Sequence, residues 1–170
     1  GPDAGIGLFL YSGLDYAEYY SQFPSHNTVC VDGISSYPVM KVTIFDLLSC
    51  FPASAEPGKA FTSVTYSNLY FREPESRADQ TRMMSIVTTG AETGYYVDVF
   101  RSRKEKGGDK MHDYFYHNLG QLDIEAADGS DLNLQPTEEL AFAGAHLYAY
   151  SYLYDKKVAA TNKDVKATSP

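Results

Sequence analysis

The segment Ser25 to Gly33, around which the chain is organised, reads Ser-His-Asn-Thr-Val-Cys-Val-Asp-Gly. Val29 and Val31 point to one side of an extended chain, and the residues between and beside them point to the other. Asp32-Gly33 supplies a turn after them, and His26 lies just before the apolar positions. The pattern predicts a buried strand that carries one polar side chain to its edge. From the residues alone, His26 is either a satisfied structural histidine or a ligand or catalyst.

The composition favours strands over helices. The chain has 170 residues, of which 44% are hydrophobic, and it contains fifteen tyrosines and nine phenylalanines. Tyr and Phe favour pleated, half-buried surfaces, and no long stretch has helical periodicity. Short strands without crossover helices predict an all-β antiparallel sandwich. The alternating segments expected to be strands are centred near Val29, Val42, Val64, Ile86, Val99 and Phe115.

The sequence also predicts the bounds of five strand segments and the connections between some of them. Phe61 to Phe71 and Thr81 to Thr89 read as strands joined by a charged surface loop. Tyr95 to Arg103 and Met111 to Leu119 read as the two arms of a hairpin, since Gly107-Gly108 permits a reversal. Ala145 to Asp155 is also predicted to be a strand, with tyrosines at alternate positions.

The domain organisation follows from where the apolar pattern begins and ends. Asp46 to Lys59 contains two prolines and a glycine and is predicted to be irregular. Residues 1–155 are expected to form one sandwich domain, and residues 156–170 to be a frayed or continuing tail. Gly1-Pro2 fits the remnant of a tag, so we expect a fragment of a longer chain.

Charge and cysteine content exclude several classes of partner. A formal net charge of −8 argues against nucleic acid, because phosphate binding needs concentrated Lys and Arg. A local basic cluster could still hold an anionic sugar polymer.

No apolar run has the length of a membrane span, and no signal peptide is visible, so the chain is cytosolic or has lost its targeting segment. Cys30 and Cys50 have no metal-binding spacing and are either free buried thiols or one bridge.

The usual catalytic signatures are absent. The sequence contains no Gly-x-Ser-x-Gly, no Cys-x-x-Cys, no His-Glu-x-x-His and no phosphate-binding glycine loop. What the chain offers instead is four histidines and many tyrosines. These side chains suit proton transfer and carboxylate binding.

Two segments in the same order resemble the heparinase II/III-like polysaccharide lyases, which include heparin and alginate lyases. The first is His26-Asn-Thr-Val-x-Val-Asp-Gly33. The second is Tyr96-Val-Asp-Val-Phe-Arg-Ser-Arg103 followed by His112-Asp-Tyr-Phe-Tyr-His-Asn-Leu-Gly120. The resemblance covers most of this chain but only the later part of a family member.

The resemblance implies a fold, a reaction and a location. Family members join an N-terminal helical toroid to a C-terminal β-sandwich, and the substrate cleft lies between them. They cleave acidic polysaccharides of the alginate or glycosaminoglycan type by β-elimination, which needs a carboxylate neutraliser, a base and an acid. This chain is then the sandwich region of such a lyase, periplasmic or secreted by a bacterium and inactive by itself.

The resemblance also implies site residues. The family's motif histidine is a zinc ligand, which transfers to His26. The other family ligands precede the motif and have no counterpart here, so we expect zinc in the longer parent and none on this chain. Tyr11 and Tyr16 bracket the position of the family's proton-transfer tyrosine, and either could carry that role.

The predicted hairpin adds a substrate-binding hypothesis. It would place Arg101 beside His112 and His117, so we expect these three side chains to hold uronate carboxylates. The alternative is a solvated hairpin tip. For the whole chain, the alternative function is a non-catalytic carbohydrate-binding or structural sandwich whose aromatic rows only pack.

Overall fold

The computed structural model describes residues 2–8, 10–33, 44–52, 63–107, 110–139 and 148–168. The chain divides into two compact units. The terminal unit comprises Gly1–Ser36 and Met111–Pro170, and the central unit comprises Tyr37–Lys110. The strands are β1 (Val29–Val31), β2 (Phe45–Phe51), β3 (Val64–Arg72), β4 (Asp79–Thr88), β5 (Gly94–Arg103), β6 (His112–Tyr114), β7 (Asp123–Ala126), β8 (Gln135–Pro136), β9 (Lys157–Val158) and β10 (Val165–Thr168).

The helical segments of the described residues are single turns of three to five residues. They are 3-10 helices at Leu10–Ser12, Phe23–Ser25 and Tyr148–Tyr152, and a π-helix at Tyr16–Tyr20. In the described part of the chain, no helix is long and apolar enough to cross a membrane. Every strand pair among the described residues is antiparallel. The prediction of an all-β, sandwich-like fold is therefore confirmed.

The central unit is one antiparallel sheet in the order β2-β3-β4-β5. The predicted pair of strands from Phe61 to Phe71 and from Thr81 to Thr89 is confirmed as β3 and β4, and the turn between them is only six residues long, from Glu73 to Ala78. The prediction that Asp46 to Lys59 is irregular is wrong for its first part, because residues up to Phe51 belong to β2. The predicted strand around Val42 lies outside the described residues.

The predicted hairpin between Tyr95 to Arg103 and Met111 to Leu119 is wrong. β5 pairs with β4, whereas β6 pairs with β1. The first arm is confirmed as β5, whereas only His112–Tyr114 of the second arm is a strand. Alternation in the sequence indicates a strand but leaves its partner strand open. The partner of β6 is set by packing of the terminal unit.

The terminal unit contains three two-stranded sheets, β1-β6, β10-β7 and β8-β9. After β1, Asp32 and Gly33 both have positive φ angles, of 56° and 67°. This confirms the turn predicted from Asp-Gly, since both residue types tolerate that conformation. The turn ends β1 three residues after it begins.

The core of the terminal unit forms around Cys30 and Tyr150, which are 0% and 1% exposed. Phe23 and Phe115 pack against them, and the rings of Phe115 and Tyr150 meet edge to face. The predicted strand from Ala145 to Asp155 is wrong where the structure describes it, because Tyr148–Tyr152 is a 3-10 helix. With three residues per turn, this 3-10 helix places Tyr150 in the core. Its tyrosines therefore do not lie on one face, as alternate residues of a strand would.

Candidate functional site

The pairing of β1 with β6 brings the two motif segments side by side. Val29 lies opposite Tyr114, and Val31 lies opposite His112. The ladder continues one step past the strands, where the Phe115 backbone N–H donates to the Thr28 carbonyl at 2.8 Å. Because the strands are antiparallel, the chain after Phe115 runs alongside the residues that precede β1. His26 and His117 therefore lie at the same end of the pair.

Asn27 connects the two segments at this end. Its Oδ1 accepts a hydrogen bond from the His117 backbone N–H at 2.7 Å, and its Nδ2 donates to the Pro2 carbonyl at 3.1 Å. A side-chain amide can do both at once because it carries an acceptor and two donor hydrogens. Asn27 thus fixes the position of the His117 backbone.

The ring of His117 is oriented by a backbone carbonyl. Its Nε2 lies 2.8 Å from the Pro24 oxygen, and a carbonyl can only accept, so Nε2 carries the hydrogen. In the neutral ring, Nδ1 then has the lone pair. The His117 side chain is half-buried, next to fully buried Ser25. Its unprotonated nitrogen can accept a proton or a hydrogen bond.

His26 is oriented in the same way by a carboxylate. Its Nδ1 lies 2.7 Å from Asp3 Oδ2, and Asp3 also accepts the Gly5 backbone N–H at 2.8 Å. The hydrogen bond from His26 and then that from Gly5 hold the pKa of Asp3 below its ordinary value, and the charges of His26 and His117 add to this effect. Asp3 thus stays ionised near both imidazoles. We call Asp3, His26, Asn27 and His117 the imidazole cluster.

The imidazole cluster suits proton transfer and anion binding. Each ring has one nitrogen engaged with a fixed acceptor, which leaves the other nitrogen for a ligand. An oriented imidazole of this kind can act as a general base or acid, or hold a carboxylate when protonated. The His26 and Asp3 side chains are 36% and 55% exposed, so solvent and small groups can reach them.

The described residues do not form a zinc site by themselves. Among them, no group of three or more His, Cys, Asp or Glu side chains has the geometry to hold a metal ion. The carboxylate on His26 Nδ1 is the kind of outer partner that metal-bound histidines have. His26 fits one ligand position, whereas zinc needs four donors.

Tyr11 and Tyr16 contact each other. Their rings meet edge to face with centroids 5.1 Å apart, on consecutive helical turns before the motif. Tyr11 is 72% exposed, whereas Tyr16 is half-buried. Tyr11 is therefore the more accessible of the two rings.

The other two predicted substrate-binding residues are His112 and Arg101. His112 is opposite Val31, at the far end of β6 from His117, and it is exposed. Arg101 is on β5 in the central unit, opposite Thr81. The structure therefore does not give Arg101 the hairpin position beside the histidines that the sequence predicted.

A buried polar group supports β1 and β6 beneath the imidazole cluster. The Tyr150 hydroxyl donates to Asp113 Oδ2 at 2.7 Å, and Asp113 lies opposite Cys30 in the ladder. Burial, followed by hydrogen bonds to Cys30 and Asp113, raises the pKa of the Tyr150 hydroxyl well above its ordinary value. Tyr150 therefore stays a neutral donor. Cys30 and Cys50 do not form a disulfide, and Cys30 is buried whereas Cys50 is exposed.

The sequence motifs do not indicate a site role for Asp3, Asp113 or Tyr150. Asp3 had one local signal, since Asp two residues before Gly favours a turn of the kind observed. Asn27 was part of the quoted motif without an assigned role. Asp113 and Tyr150 are 37 positions apart, so only the folded chain shows their contact.

One curated protein is similar to this chain. It is an endo-acting ulvan lyase from Formosa agariphila, 29% identical over 138 residues. The alignment covers 72% of this chain and 16% of the relative, so the chain spans about one sixth of the length of that protein. No family model matches the chain, and no solved structure matches it. The similarity supports a relation to polysaccharide lyases, whereas the heparinase II/III-like resemblance stays a hypothesis.

Proposed function

We propose that this chain is the β-sandwich region of a polysaccharide lyase that cleaves uronic-acid-containing polysaccharides by β-elimination. The observation that carries this proposal is the similarity to an endo-acting ulvan lyase over 72% of the chain. The imidazole cluster supports it, because its two histidines belong to the two motif segments and lie at the same end of the β1–β6 pair.

The reaction needs groups for three tasks. A base removes the proton beside the uronate carboxyl group, a cationic or hydrogen-bonding group stabilises the enolate that forms, and an acid protonates the departing sugar oxygen. His117 can bind the carboxylate or accept the proton at Nδ1, since its Nε2 is occupied by the Pro24 carbonyl. Tyr11, the more exposed of the paired tyrosines, is our candidate for proton transfer, and Tyr16 is the alternative.

The wider setting is part of the proposal. We place the chain in a heparinase II/III-like lyase that is periplasmic or secreted, with a helical toroid as its partner domain. The substrate is an acidic polysaccharide, of the ulvan, alginate or glycosaminoglycan type. Because the toroid supplies part of the cleft in that family, the 170-residue chain alone is expected to be inactive.

A second function is a non-catalytic carbohydrate-binding module. Exposed aromatic rings favour it, since Tyr11, Tyr116 and Tyr154 are 72%, 59% and 84% exposed. Sugars stack on such rings through their apolar faces. This module would bind the polysaccharide and release no product.

The test is an assay for β-elimination. The 170-residue chain and the longest protein that contains it are incubated with ulvan, alginate and heparan sulfate, and the unsaturated uronate product is measured by ultraviolet absorbance. We expect product from the longer protein with one of these polymers and none from the short chain. Binding without product in both proteins would favour the second function.

Zinc is tested separately in the same two proteins. We expect stoichiometric zinc after dialysis in the longer protein, lost in its His26→Ala variant, because His26 is the transferable ligand. Zinc content is measured by atomic emission. Full zinc content in the variant would exclude His26 as a ligand, and stoichiometric zinc on the short chain would show that the ligand set is wrong.

A further inference from the structure

A second polar site lies in the central unit, away from the imidazole cluster in sequence. The turn between β3 and β4 and the residues that follow β5 enclose a cavity of about 370 Å³. This volume is within the range of small-ligand sites. Its charged walls are formed by Arg72, Glu75, Arg77, Asp79, Lys104 and Lys106, with Glu105 beside them.

The turn that forms one wall is held by a buried carboxylate. Glu73 is 2% exposed and accepts hydrogen bonds from the backbone N–H groups of Glu75 and Ser76. The Glu73 backbone also exchanges hydrogen bonds with the other end of the turn, through Ala78 at 2.9 Å and Arg77 at 2.8 Å. Arg77 has a positive φ of 58°. The turn is therefore fixed, and Arg77 is fixed with it on the cavity wall.

The acidic groups of the cavity are already engaged. Asp79 Oδ1 accepts the Tyr70 hydroxyl at 2.6 Å and lies 4.0 Å from Arg72 Nε. Glu105 pairs with Arg103 at 2.9 Å, which brings in a cation from outside the lining. Two of the three carboxylates that line the cavity therefore have a hydrogen-bond or ion-pair partner.

Two of the cations that line the cavity do not compensate a carboxylate. Neither Arg77 nor Lys106 forms an ion pair with another described residue. The cavity lining carries four cationic and three carboxylate side chains, an excess of one positive charge in a chain whose net charge is −8. Cations without an ion-pair partner in a concave site attract small anions. Arginine and lysine together suit carboxylate, sulfate and phosphate oxygens.

We propose that this cavity binds the anionic group of an acidic sugar, a carboxylate or a sulfate ester, and is a subsite for the polysaccharide chain. The sugar part of this inference rests on the proposed function. Arg77 and Lys106 contact the anion, and the Glu73-held turn keeps Arg77 in place.

The test uses the isotope-labelled 170-residue chain, titrated by nuclear magnetic resonance with sodium sulfate and, separately, with glucuronate. We expect saturable shifts of the amides of residues 75–79 and 104–106. In the Arg77→Gln/Lys106→Gln variant the affinity should fall about tenfold or more, since two charges are lost. The control is Lys157→Gln/Lys166→Gln, which removes two exposed charges from the terminal unit and should bind like wild type.

Each outcome decides the proposal. Saturation with glucuronate alone assigns the site to carboxylates, and saturation with sulfate alone assigns it to sulfate esters. Equal affinity in the Arg77/Lys106 variant, or shifts spread evenly over all lysines, overturns the site. The single variant Lys106→Gln changes only an exposed residue after β5, and it is measured in case the double variant has a folding defect. Lyase activity in the longer protein is measured independently, so anion binding without lyase activity overturns only the proposed function.

Discussion

The two units of the chain use opposite means of stabilisation. The central unit has the long strands, and β3, β4 and β5 have nine or ten residues each. Yet many of its apolar side chains are exposed, including Phe45, Met84 and Ile86 at 61%, 41% and 44%. The terminal unit has strands of two to four residues but contains most of the buried apolar side chains of the described residues. They are Val29, Cys30, Val31, Ala126, Ala149 and Tyr150, against Ala78 in the central unit.

The central unit therefore depends mainly on regular hydrogen bonding, and the terminal unit depends mainly on burial of apolar side chains. A sheet with exposed apolar side chains depends on its ladder and on cross-strand pairs, each of which contributes about 0.2–1 kcal/mol. A core residue such as Tyr150 contributes through desolvation and close packing, which are larger per residue. Candidate catalytic groups lie on the terminal unit, where packing fixes their orientation.

The largest effect is expected from Tyr150→Ala. It leaves a cavity next to Cys30 and removes the hydroxyl from Asp113, so the free energy of unfolding should fall by about 3–5 kcal/mol. Tyr96→Ala is the matched control in β5, where the side chain is 82% exposed, and it should cost less than about 1 kcal/mol. Urea unfolding measures both. Equal losses would show that the two units do not differ in this way.

A smaller effect is expected from Glu73→Gln in the central unit. It weakens the charge-assisted hydrogen bonds to the backbone N–H groups of Glu75 and Ser76, at a cost of about 1–3 kcal/mol. Hydrogen exchange of the amides in the turn should become faster. Glu92→Gln, an exposed residue in the β4–β5 loop, is the control and should leave exchange unchanged. Unchanged exchange in both variants would mean that the turn needs no carboxylate.

The strands of the central unit could be predicted from the sequence better than the strand pairing of the terminal unit. Alternation identified β3, β4 and β5 because a sheet face is a local property with a period of two. It assigned the wrong partner to β6, since pairing with β1 spans about eighty positions and depends on the core around Tyr150.

The candidate site was predicted only in part, for the same reason. His26 and His117 were identified from the motifs they belong to, but their common position depends on the β1–β6 register. Asp3 has no pattern of its own beyond a local turn. Arg77 was missed because its place on the cavity wall depends on the positive φ and the buried Glu73, which strand periodicity does not encode.

The smallest effect is expected from Asp3→Asn and depends on pH. The folded pKa of Asp3 lies below its ordinary value of 3.8, so the charged form stabilises the fold above that value. This contribution is lost as the pH falls through the folded pKa. The variant should be less stable at neutral pH by under about 1 kcal/mol, since the pair is exposed to solvent.

The matched control for this pH dependence is Asp123→Asn on β7, an exposed carboxylate of the terminal unit. Thermal unfolding is measured from neutral pH to below the ordinary pKa of 3.8. The curves of wild type and Asp3→Asn should converge in acid, and those of the control should coincide throughout. A gap between wild type and Asp3→Asn that widens in acid would reverse the sign and contradict the role of the His26–Asp3 pair.

The most direct measurement is the rate of unsaturated uronate formation by the longest protein that contains this chain. His26→Gln and His117→Gln should each reduce the rate about a hundredfold or more if the imidazoles serve proton transfer or carboxylate binding. Asn118→Ala, exposed and next to His117 in sequence, should retain the wild-type rate. A protein that makes no unsaturated uronate from any of the three polymers, or keeps its full rate without both imidazoles, would contradict the proposed lyase function of this site.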